Sequence, residues 1–229
     1  YNVCMEQFLY LLASACAVVI ILTLHEFAHA FAAYKCGDPT AKYEGRLTLN
    51  PLKHFDVAGL LMFILVGFGW ARPVPINPNN FRHYKSGLFI TSAAGIFVNL
   101  LLAFLFYPLM LLVVGNLTEP NFLYIFLNDF MTLFVIYNLN FFVFNLLPLY
   151  PLDGFRIWDA LDRRRSKPFL FVRQYGYYIL LGLILESYLC RLLGQVLPVL
   201  EYFDILGYYL EFVINGIFRL FGMFWGLFI

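Results

Sequence analysis

Five apolar stretches constrain this chain more than any other feature, because each is about 25 residues long, enough to cross a 30 Å hydrocarbon core with some tilt. They run from about Phe8 to Tyr34, Gly87 to Gly115, Phe122 to Leu147, Phe169 to Leu193 and Tyr202 to Phe228. Lipid offers no partner to a bare N–H or C=O, so a spanning segment must close its own backbone bonds as a helix. Composition agrees: 62% of the 229 residues are hydrophobic and 13% charged, against roughly 45–50% and 25% in a soluble domain. The expected fold is an all-α integral-membrane protein, a polytopic bundle of about five to six transmembrane helices. The last stretch is interrupted by Glu211, Asn215 and Arg219, so it can also form two shorter pieces or lie partly in the interface. The first stretch is too long for a signal-peptide core and has no basic leader, and it reads as a retained span. A net charge of +1 without a basic stripe gives no reason to expect a nucleic-acid partner. Cys4, Cys16, Cys36 and Cys190 form no CxxC pair and read as scattered thiols.

The link between the first two spans is unusual. Gly45-Arg-Leu-Thr-Leu-Asn50 alternates like a short strand and ends at Pro51. Residues 58–69 are apolar but too short to span, and the glycines and prolines between Gly67 and Pro78 exclude a regular helix. Apolar, non-helical backbone at membrane depth is tolerated only against protein or a water-filled cavity. The expectation is a small β or re-entrant element between the first two helices. Organisation then divides into a core over residues 1–160 and C-terminal transmembrane helices over 161–229. Arg156, Arg163, Arg164, Arg165 and Lys167 follow the third span, whereas residues 116–121 carry no Lys or Arg. The positive-inside rule therefore puts the end of the first helix and the end of the third on the cytoplasmic side.

The first span contains His25-Glu26-Phe27-Ala28-His29, an HExxH. Four-residue spacing puts both imidazoles on one helix face, where they can reach one ion. Neutral imidazole suits Zn²⁺, and the adjacent Glu26 can serve as general base. Two histidines and a glutamate within a lipid-spanning helix are costly, which makes a functional reading the default. A catalytic zinc takes three protein ligands and keeps a fourth position open. The extended HExxHxxGxxH pattern is absent, because Ala32 and Lys35 stand at its last two places. The best third candidate is Asp153, where two prolines, Pro148 and Pro151, break the third helix. Asp153 and the pair His25/His29 both fall toward cytoplasmic helix ends, at similar depth. His54 and Asp56 are the competing candidates and read as a solvated turn after Pro51; His83 reads as interfacial.

These residues resemble the site-2 protease family of intramembrane zinc metalloproteases, peptidase family M50. The resemblance rests on His25 to His29, on the second signature within Asn145 to Gly154, and on Gly37 to Thr40, Gly45 to Pro51 and Gly69 to Pro78. It covers about residues 8–160. It implies His25, His29 and Asp153 as ligands of one Zn²⁺ per chain and Glu26 as the catalytic carboxylate. It also implies Asn145 as a substrate-carbonyl contact. The family's Gly-Pro-x-x-Asn appears here as Gly95-Ile96-Phe97-Val98-Asn99; Asn99 is a candidate for substrate binding or for bonding a neighbouring helix.

The resemblance implies a compact, core-type protease with single-span transmembrane proteins as substrates; the compact form and missing signal suit a prokaryotic cytoplasmic membrane, and the charges put the site toward the cytoplasm. Two other readings use the same residues: a catalytically inactive membrane scaffold, or a metal transporter. An intact Glu26 argues against the first, and the lack of internal repeats argues against the second.

Overall fold

The computed structural model describes residues 3–56, 58–59, 62, 72–115, 121–162 and 164–228. Helix α1 (Val3–Cys36) is followed by a single turn, α2 (Thr40–Tyr43), and then by α3 (Tyr84–Gly115) and α4 (Phe122–Asn145). The short α5 (Asp153–Leu161), α6 (Lys167–Gly194) and α7 (Ile205–Trp225) complete the order. Five of these, α1, α3, α4, α6 and α7, are long and apolar enough to cross a membrane. The protein is thus an all-α membrane bundle, and its last apolar stretch is one helix preceded by a 3₁₀ segment over Pro198–Phe203.

The chain forms two compact units, residues 1–142 and 143–229. In the first unit, Ala13, Ala17 and Ile21 lie one turn apart along α1 and pack against Leu133 and Phe134 of α4, with Leu102 and Phe106 of α3 alongside. Between helices in lipid there is no water to expel, so close van der Waals approach is what holds them. Two alanines on the α1 face permit that approach. Several polar side chains in the spans bond to their own helix: Thr23 Oγ1 donates to the Val19 carbonyl at 2.7 Å, and the Asn138 and Asn140 amides donate to carbonyls one turn back. The Ser14 hydroxyl meets the Tyr137 hydroxyl at 3.0 Å across α1 and α4. Ile96 stands buried within an uninterrupted α3, whose internal proline is Pro108 instead.

Helix α1 stops at Gly37, whose φ of +112° suits glycine. The Asp38 N–H returns to the Ala33 carbonyl at 2.9 Å and the Gly37 N–H to Tyr34 at 3.1 Å, the paired bonds of a Schellman ending. Among the described residues no strand forms, so the strand expected over 45–50 is absent. The physical reason lies in the partners. Residues 72–77 run extended; the Arg72 N–H donates to the His54 carbonyl at 3.0 Å, but the Arg72 carbonyl and the Val74 and Asn77 N–H groups bond to the side chains of Arg46, Glu26 and Asp38 instead of extending a ladder. Most of the expected re-entrant segment, 58–69, lies outside the described residues.

In the second unit, α4 ends at Asn145 and a tight turn leads into α5, with Leu152 N–H donating to Leu149 at 2.8 Å. The Phe155 ring of α5 stacks on Phe169 of α6 at 5.1 Å, and Trp158 meets the same ring edge-on at 5.5 Å. At the far end of α6, Asp204 caps α7 by accepting the Gly207 N–H at 2.7 Å and pairs with Arg191 at 3.2 Å.

Candidate metal centre

His25 and His29 sit one turn apart on the buried face of α1, 4% and 5% exposed. They face a stripe of α3 made by Thr91, Gly95 and Asn99, residues that also follow one another at one-turn intervals. The His29 Nδ1–H donates to the Thr91 carbonyl at 2.7 Å, and the His25 Nδ1–H points at Asn99 Oδ1 at 3.4 Å. The Thr91 carbonyl only accepts, so the His29 ring carries a proton on Nδ1. The two Nε2 atoms stand 3.0 Å apart, with the ring planes at 85°. Nitrogens that converge in this way can be shared by one cation. Neutral imidazoles whose outer N–H is anchored to a carbonyl form the donor arrangement that zinc sites use. The residues present therefore fit a zinc ion.

Gly95 makes the arrangement sterically possible. A Cβ there would fall 2.5 Å from His29 Nε2 and 2.7 Å from His25 Cε1. Asn99 is fully buried, and its contact is with a histidine of the pair. A hydrogen bond from a neighbouring helix to an imidazole orients that ring.

Glu26, the residue after His25, faces the extended segment over 72–77. Its Oε2 accepts the backbone N–H of Val74 at 2.9 Å, and the residue is only half-buried. The first unit thus brings together His25, His29, Glu26 and Asn99. Asp153 and Asn145 belong to the second unit. Asp153 is the first residue of α5 and is buried; Asn145 is the last of α4 and half-buried.

The rival ligands have other employment. His54 is fully buried rather than solvated, and its Nε2–H donates to the Thr48 carbonyl at 2.8 Å. Asp56 Oδ1 accepts the Gly59 N–H at 2.9 Å. His83 is exposed, as an interfacial residue would be. What sequence reasoning misses are main-chain partners, the Thr91 carbonyl and the Val74 N–H, since any residue type can supply them. Gly95 had a signal: a glycine four residues before a buried asparagine marks a close approach of helices.

Just beyond α1, Asp38 is fully buried. Burial pushes its carboxyl upward, but bonds from the Thr40 hydroxyl, the Asn80 amide and the Asn77 and Thr40 N–H groups outweigh it and hold it below the ordinary value of 3.8. Burial lowers the Arg46 guanidinium, against which the charge of Glu26 works in the opposite direction.

A family model described as "Peptidase family M50" matches residues 120–186. The chain is 43% identical over 163 residues to the Bacillus subtilis protein named "Putative zinc metalloprotease YwhC", covering 69% of this chain and 74% of that one. It is 58% identical over 33 residues to the Mycolicibacterium smegmatis protein named "Putative zinc metalloprotease Rip2", which covers 14% of this chain and 13% of the relative. No solved structure matches the chain.

Proposed function

We propose that this chain, which belongs to peptidase family M50, hydrolyses peptide bonds of single-span membrane proteins within or beside the bilayer. It is a zinc metalloprotease by family, and its five apolar helices make it an integral-membrane one. The observation that carries the reading is the convergence of the His25 and His29 Nε2 atoms, with Glu26 beside them on the same turn of α1.

Asp153 is the third ligand in this reading. It is a buried carboxylate at the start of α5, whereas His54 and Asp56 are committed to local backbone groups. Zinc held by these three side chains would polarise a water and bring its pKa toward neutrality. Glu26 would take the proton of the attacking water and pass it to the leaving amine. Asn145, at the end of α4, donates its amide N–H to the substrate carbonyl and steadies the charge that develops there. Asn99 holds His25 in the tautomer that presents Nε2.

Orientation follows from the charges. Lys35 stands in the last turn of α1 with Lys42, Arg46 and Lys53 beyond it, and Arg156, Arg164 and Arg165 precede α6, which begins at Lys167. The positive-inside rule places these on the cytoplasmic side of a prokaryotic membrane, and with them the end of α1 that carries the histidines. Substrate bonds must be unwound before they are cut, since a spanning helix hides them in internal hydrogen bonds.

The deciding experiment is Glu26→Gln in purified protein, beside His25→Ala. The first should keep stoichiometric zinc by elemental analysis and lose cleavage of a model transmembrane substrate; the second should lose both. Full cleavage by Glu26→Gln would remove Glu26 from the reaction.

A further inference from the structure

We infer that the backbone N–H of Val74 is the positioning group for the Glu26 carboxylate, and that the segment Arg72 to Asn80 is a fixed strap that holds this N–H against it. The inference rests on Glu26 being the proton acceptor.

A glutamate has three side-chain torsions, and a solvated one samples many positions. Proton transfer requires the carboxylate within hydrogen-bond reach of the attacking water. Here one oxygen, Oε2, is held by Val74 N–H at 2.9 Å, which leaves Oε1 for the proton. Val74 lies between Pro73 and Pro75. Neither proline has an N–H, so Val74 supplies the one donor of that tripeptide. Both prolines also restrict the backbone to extended geometry.

The strap is anchored on both sides of that donor. Arg46 Nη2 donates to the Arg72 carbonyl at 2.6 Å. Asp38 Oδ2 accepts the Asn77 N–H at 2.7 Å, and its Oδ1 accepts the Asn80 side-chain amide at 2.8 Å. The Arg82 N–H then closes on the Cys36 carbonyl at 3.0 Å. The Val74 side chain packs with Ala30 of α1, Ala41 of α2, Leu47 and Ile76. Arg46 is 5% exposed and Asp38 fully buried. Burying two ionic groups is costly unless each is bonded, and both spend bonds on this one stretch of backbone. Mere loop packing would need neither. The pattern is that of a support built to fix three points along a short chain, with the carboxylate of Glu26 at the middle one.

The test removes the N–H. Val74→Pro deletes it, and an ester at position 74, introduced as the α-hydroxy analogue of valine, deletes it without constraining φ. Both are measured in the full chain in detergent, against a single-span substrate, with zinc content and melting temperature read alongside. Expected are unchanged zinc stoichiometry, an unchanged KM and a kcat lower by about 10–100-fold, the scale of a misplaced catalytic group. Val74→Ala keeps the N–H, and its loss of kcat should be at least about fivefold smaller. Should Val74→Pro not fold, the ester alone decides. Wild-type kcat in the ester protein would overturn the inference, as would an equal loss in Val74→Ala. Cleavage surviving Glu26→Gln overturns instead the assignment of Glu26, so the two failures are distinguishable.

Discussion

Replacing Gly95 by alanine should damage zinc binding while sparing the fold. The added Cβ falls 2.5 Å from His29 Nε2 and 2.7 Å from both His25 Cε1 and His29 Cε1. Heavy atoms are comfortable at about 3.5 Å or more, so the rings must retreat by about 1 Å. They have little room to do so: Thr91 holds one ring at 2.7 Å and Asn99 the other. Metal–ligand distances tolerate only about 0.2 Å. Overpacking of this kind costs about 1–3 kcal/mol, and at about 1.4 kcal/mol per decade the zinc Kd should rise between about 5-fold and 150-fold. Alanine is also the better helix former by about 0.5–1 kcal/mol, which partly offsets the strain in global stability. The melting temperature of the metal-free protein should therefore move much less than the affinity. A competition titration against a chromophoric chelator measures the affinity, and Gly182→Ala, whose Cβ meets nothing within 4 Å, is the control. A Gly95→Ala protein that binds zinc within twofold of wild type would refute the placement of α3 against the two rings.

Gly154→Ala is the harsher change, because its Cβ would lie 2.3 Å from the Leu146 carbonyl oxygen and 2.4 Å from that of Leu147. Backbone cannot step aside, so a loss of about 3 kcal/mol or more is expected by thermal denaturation; wild-type stability would contradict the turn. Asp38→Asn should cost about 1–3 kcal/mol at neutral pH, since an amide nitrogen would face groups that now donate. The native carboxyl holds its proton less tightly than the unfolded one. Its contribution is therefore complete above pH 3.8 and is lost as pH falls below that value. The stability gap between wild type and Asp38→Asn should shrink under acid, and a gap that stays constant down to pH 2 would count against the ionised, multiply bonded form.

The helices were legible because lipid leaves one solution for each apolar stretch, and the spans over α1, α3, α4, α6 and α7 follow the expected ones within a few residues. The HExxH pair was legible for a related reason: spacing on a helix settles which side chains share a face. The short α5 was not, since nine residues directly after a proline-broken turn fall short of the length that separates a helix from a loop. Nor was the behaviour of 72–77. Its prolines exclude a helix, but nothing in the sequence says that the side chains of Arg46, Glu26 and Asp38 take up its backbone groups. His54 looked like a surface residue because it stands between Lys53 and Asp56 in a turn after Pro51; only the three-dimensional arrangement buries it on the Thr48 carbonyl.

One of the two histidine anchors is a main-chain oxygen, that of Thr91. No substitution at position 91 deletes that acceptor; it can only be carried elsewhere by moving the helix it belongs to. Sliding or tilting of α3 along α1 would then retune the imidazole directly, and membrane thickness is a force that tilts helices. In bilayers of short and long acyl chains, the same polypeptide would hold its ion with different strength.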